Sequence, residues 1–65
     1  MDACPLDVIR RALEREKSVR DSYLGLAGSA VPQEVRDLFL YLAEEEAGHA
    51  RLLADEIEKE THREM

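Results

Sequence analysis

The chain has no tryptophan, one cysteine, one phenylalanine, two prolines and three glycines in 65 residues. Cys4 has no partner for an intrachain disulfide, which removes the disulfide-knot class. So little proline and glycine excludes collagen-like repeats and flexible linkers. Alternating apolar and polar positions are missing and β-branched residues are few, so no strand is signalled. No apolar run approaches the ~20 residues that cross a bilayer, so no membrane partner is expected. Basic residues are in deficit: nine Lys and Arg face fifteen Asp and Glu, a formal charge of −6. That argues against a nucleic-acid partner, because phosphate contacts need a basic surface. The start Met1-Asp2-Ala3-Cys4-Pro5 has neither the basic nor the apolar part of a signal peptide. A soluble cytoplasmic protein is expected, and the initial Met fits a whole chain.

What is present is 45% hydrophobic and 37% charged. Chains below roughly 70–80 residues seldom gain more than a few kcal/mol from their own core. Without a disulfide, a metal, a second copy or both must supply the difference.

The chain is interrupted once, at Gly25-Leu26-Ala27-Gly28-Ser29-Ala30-Val31-Pro32. Gly28 suits a left-handed residue just past a helix end, and Pro32 suits the first turn of the next helix. Val31 is a poor N-cap by side chain, and Glu34 compensates in part through the helix dipole. The spacing predicts helix one from about residue 5 to 27, with Ile9, Ala12, Leu13, Val19, Tyr23, Leu26 and Ala27 on one face. It predicts helix two from about 32 to 61, with Val35, Leu38, Phe39, Leu42, Ala43, Ala50, Leu53 and Ile57 inward. The outer faces carry the pairs Asp7–Arg11, Arg10–Glu14, Lys17–Asp21 and Asp55–Lys59, each worth a few tenths of a kcal/mol. A short break between long helices gives an all-α, antiparallel two-helix hairpin. Two amphipathic helices leave one flank of each stripe open, and a two-fold copy would close a four-helix bundle.

Three polar residues sit where the stripes call for apolar ones. Glu16 interrupts helix one; Glu46 and His49, three apart, interrupt helix two and lie side by side on one face. Counted from the break, Glu16 and Glu46 differ by only about 4–5 Å along the bundle. A buried carboxylate is protonated, paired or bound to a cation. Two copies would bring four glutamates and two histidines to one layer. Di-iron and di-manganese bundles use that set: a Glu from each of two helices and Glu-x-x-His from each of the other two. Hard divalent cations favour carboxylate oxygen, and imidazole suits iron. Gly48, Ala47, Ala12 and Ala50 would let backbones approach around such a site.

Over residues 12–53 the chain also resembles one helical hairpin of a rubrerythrin-type, ferritin-like di-iron protein. The resemblance rests on Glu16 seven residues before Tyr23, and on Glu46-x-x-His49 after Leu38-Phe39 and Leu42-Ala43. It implies Glu16 and His49 as terminal ligands, Glu46 as a bridge between two metals, and Tyr23 hydrogen-bonded to a ligand carboxylate. It implies two Fe ions per dimer, with Mn or Zn as alternatives, and ferroxidase-type oxidation of Fe(II) by dioxygen or peroxide. The chain departs from full-length rubrerythrin in having one hairpin, Val19 at the place of an extra glutamate, and no Cys-x-x-Cys pairs. A separate electron donor would therefore be needed for turnover. The half-size format is similar to small two-helix members that build the iron site between subunits, some of them enclosed in protein nanocompartments. The end Thr61-His62-Arg63-Glu64-Met65 shows no obvious targeting tail.

Plainer readings stand beside these. His49 can be a neutral core histidine bonded to Glu46, and Glu16 can pair with Arg20. Tyr23 and Tyr41 can be packing residues. Glu44 and Glu45 read as solvated, Cys4 as a free thiol, His62 as a tail residue without a role. Residues 44–65 hold eight acids and three bases, which suits solubility or attraction of cations. The functional alternatives are a metal-binding or iron-storage module without turnover, and a structural dimerisation hairpin.

Overall fold

The computed structural model describes residues 4–63, and the expectations for the first three and last two residues lie outside them. It is all-α: α1 (Pro5–Ala27) and α2 (Gln33–Arg63) form a hairpin. Pro5 opens α1, where its missing N–H is no loss, and Asp7 faces the positive end of the helix. The Cys4 carbonyl accepts the first helical hydrogen bond, from Val8 N–H at 3.1 Å, while its thiol is free and exposed.

The break is built differently from the sequence expectation. Gly28 has φ −82° and ψ −5°, a right-handed conformation. Its N–H reaches the carbonyls of Leu24 at 3.1 Å and Gly25 at 3.2 Å. Ser29 closes the next position twice, through N–H and Oγ to the Leu26 carbonyl at 3.1 and 2.6 Å. The Ala27 carbonyl accepts from Arg36 Nε of α2 at 3.0 Å. All four carbonyls that α1 leaves open at its end are thus satisfied without a left-handed residue. Pro32 stands just before α2, not inside it, and its carbonyl accepts from Arg36 N–H at 3.0 Å. Glu34 does lie in the first turn.

Alanine dominates the seam. Leu6, Ala27, Ala43 and Ala50 are the buried residues of the hairpin, and no large side chain is fully enclosed. Leu6 was not on the expected stripe; its place at the start of α1, opposite the long end of α2, covers it. Leu26 and Leu38 were expected inward and are instead about half exposed. Tyr41, expected to pack, is 61% exposed and Leu52 is 69% exposed. Leu38, Tyr41, His49 and Leu52 share one sector of α2 at 100° per residue, and Val8 and Leu26 share one of α1. Antiparallel packing turns both sectors to the same side. This open apolar face is where two amphipathic stripes meet without cover. The chain exposes 4989 Å², against about 4,200 Å² for a compact monomer of this mass. It measures 49 × 23 × 11 Å, and the shortest extent is one helix diameter.

The surface ion pairs also differ from those expected. They are Arg10–Asp7 and Lys17–Glu14 at 3.8 Å, Lys59–Glu56 at 4.0 Å, and Arg20–Asp21 at 2.9 Å. Three-residue spacing wins over four because long basic side chains fold back along the helix toward the N-terminal neighbour.

Gly28→Ala tests the break. An added Cβ would meet the Gly25 and Leu24 carbonyl oxygens at 3.6 Å, an ordinary contact. The expected outcome in urea unfolding is a gain of about 0.4–1 kcal/mol, through a less flexible unfolded chain. A loss of that size would place Gly28 in the left-handed region.

Candidate metal centre

Glu16 comes from the middle of α1; Glu46 and His49 come from adjacent turns of α2. The hairpin brings all three together, with one donor atom of each within 4.8 Å of the others. His49 Nδ1 lies 3.5 Å from Glu16 Oε2 and 3.7 Å from Glu46 Oε2. These distances are too long for good N–H···O hydrogen bonds. They are close to the ~3.0–3.4 Å between neighbouring donors that share one cation with bonds of about 2.1 Å. Glu16 Oε2 is buried and has no hydrogen-bond partner. Arg20 turns to Asp21 and not to Glu16, and in the single hairpin the His49 side chain is 54% exposed.

The donor set has a definite chemical character. Two carboxylates and one imidazole balance the charge of one divalent cation, with oxygen and nitrogen donors that suit iron, manganese or zinc. The carboxylates are the covered part, with side chains 26% and 20% exposed. His49 marks the rim, on the same side as the uncovered leucines. Three donors leave positions on a cation unfilled, and the open face is the direction from which they can be filled.

Tyr23 is half-buried and stacks on Phe39, centroids 6.2 Å apart and rings inclined by 22°. Its hydroxyl makes no hydrogen bond among the described residues. Glu44 and Glu45 are exposed and without ion pairs in the described hairpin. The bare Cα of Gly48 is not needed for contact with α1; an added Cβ would meet only Arg51 Nη2, at 3.7 Å. His62 lies beside Asp55, Glu58 and Lys59 in a shallow surface groove on α2. Sequence reasoning missed Arg36. Its signal was available: a basic residue four positions after Pro32, where the end of α1 offers open carbonyls.

With this geometry in place, comparison with known proteins decides the family. The rubrerythrin family model matches residues 7–65. The chain belongs to the rubrerythrin family. Its hairpin is ferritin-like, and the family's iron binding accords with the carboxylate and histidine cluster. No curated protein and no solved structure matches the chain.

Glu16→Gln separates ligation from folding. It removes a negative charge from a site where one oxygen is buried without a hydrogen bond, so the metal-free protein should gain about 1 kcal/mol in chemical unfolding. The same change should abolish stoichiometric metal uptake by elemental analysis. A metal-free variant less stable than wild type would show that Glu16 already has a favourable partner.

Proposed function

We propose that two hairpins related by a two-fold axis close a four-helix bundle around a di-iron centre. Glu16, Glu46 and His49 of both copies would hold it. The activity is ferroxidase-type oxidation of Fe(II) by dioxygen or peroxide. The observation that carries this reading is the buried, partnerless Glu16 oxygen facing His49 on a face that the hairpin leaves uncovered. Family membership and the excess surface support it.

The residues divide the work. Glu46 and Glu16 supply negative charge at the seam, balancing bound cations and setting their depth between the helices. His49 offers a ring nitrogen at the rim. Leu38, Leu42, Leu53 and Val19 would exclude bulk water once a second copy covers them. When bound, the iron pair supplies the electrons that reduce the oxidant. The chain has no Cys-x-x-Cys pair, so return of electrons would come from a separate donor. Glu46 would help to hold the ions and Tyr23 would support a ligand carboxylate from the Phe39 side.

Anaerobic Fe(II) titration should saturate at about two ions per dimer. Admission of air should then consume oxygen faster than the protein-free control. Uptake without oxygen consumption would leave a storage module. A monomer under saturating metal would remove the two-fold site. Glu46→Ala and His49→Ala should each reduce bound metal to background.

A further inference from the structure

Two polar links join the helices among the described contacts. One is the cluster of Glu16, Glu46 and His49. Another is Arg36, whose guanidinium joins the start of α2 to the end of α1. Its Nε donates to the Ala27 carbonyl at 3.0 Å, Nη2 to the Val31 carbonyl at 3.5 Å, and Nη1 to Gln33 Oε1 at 3.3 Å. Both carbonyl contacts are partly buried.

Apart from Tyr23 stacked on Phe39, with ring centroids 6.2 Å apart, the fully buried part of the seam does little to fix how far one helix slides along the other. Its buried residues are mostly alanines, which make low ridges and shallow grooves. A slip by one turn moves a helix about 5.4 Å against its neighbour. That exceeds the 4.8 Å that encloses the three donors, so one slip disperses them. The five residues of the break, Gly28 to Pro32, hold the chain ends together but leave the offset to other contacts.

Measured from the Arg36 to Ala27 contact, the depths agree. Eleven residues separate Ala27 from Glu16, and ten separate Arg36 from Glu46. At 1.5 Å per residue these are about 16.5 and 15 Å. His49, thirteen residues from Arg36, lies at about 19.5 Å. By this count Glu16 falls between Glu46 and His49 in depth, in keeping with the 4.8 Å that holds all three donors. We infer that Arg36 is the register pin of the hairpin, a positioning residue that aligns the α1 ligand with the α2 pair from some 15 Å away. The inference rests on the metal-site reading above.

Co(II) titration of the full chain tests it, with visible absorption as readout of the donor set. Arg36→Met keeps the apolar stem and helix propensity and removes the donors. It should bind Co(II) about tenfold more weakly, with an altered visible band. Arg36→Lys can still reach the Ala27 carbonyl and should be about threefold weaker than wild type, with the wild-type band. Ser29→Ala is the control: it removes a cap on α1, the 2.6 Å bond to the Leu26 carbonyl, without touching α2. It should lower the unfolding midpoint and leave Co(II) affinity unchanged. If both Arg36 variants bind Co(II) as wild type does, the pin is overturned. Should Arg36→Met not fold, wild-type affinity in Arg36→Lys alone overturns it. Failure of the wild-type protein to bind Co(II) would instead sink the metal site.

Discussion

A carboxylate oxygen held in the seam of two helices without a hydrogen bond is the constraint from which the rest follows. Glu16 Oε2 is shut off from solvent and receives no hydrogen bond. Leaving such a group unpaired costs on the order of 1–3 kcal/mol, a serious loss for a hairpin whose buried residues are one leucine and three alanines. A leucine at position 16 would continue the stripe and remove the cost. The chain keeps the glutamate and sets Glu46 and His49 against it. Stability would be given up at the point where cation-binding chemistry is gained, and a bound cation would reverse the sign of the term.

The same shortage of core explains the open face. Val8, Leu26, Leu38, Tyr41 and Leu52 are each about half exposed or more, and the hairpin is one helix thick. Longer or bulkier side chains in the seam would separate the helices and draw the ligands apart. Small ones let Glu16 approach the α2 pair. The price is a hairpin that cannot bury its own leucines. Close ligands and an unfinished core are thus two results of one choice of side-chain size, and a second copy would answer both.

Legibility in the sequence followed the range of the interactions. The two helices, their break and the level shared by Glu16, Glu46 and His49 were readable, because period and rise are local properties of the backbone. Leu26 and Leu38 were misplaced, because the pattern shows an apolar stripe without showing which of its flanks the neighbouring helix covers. Gly28 was misassigned for a different reason. Its residue type permits the left-handed conformation, while hydrogen bonds from Ser29 and from Arg36 make it unnecessary. Those bonds depend on where α2 starts relative to α1, which the glycine itself does not reveal. Leu6 escaped for the same cause: it is covered by the far end of a helix that returns past it.

The two polar links between the helices divide a task that packing alone does poorly. A site made from one residue on α1 and two on α2 is only as good as the offset between the helices. Alanine ridges permit close approach but penalise sliding weakly. A hydrogen bond at the hairpin's closed end, where the break already limits motion, fixes the offset at small cost, because rise per residue then carries it rigidly along both helices. At the open end α2 runs on beyond the start of α1. The candidate cluster sits between these ends, close enough to the closed one to inherit its register. Precision at the site therefore originates in a residue that touches none of its ligands.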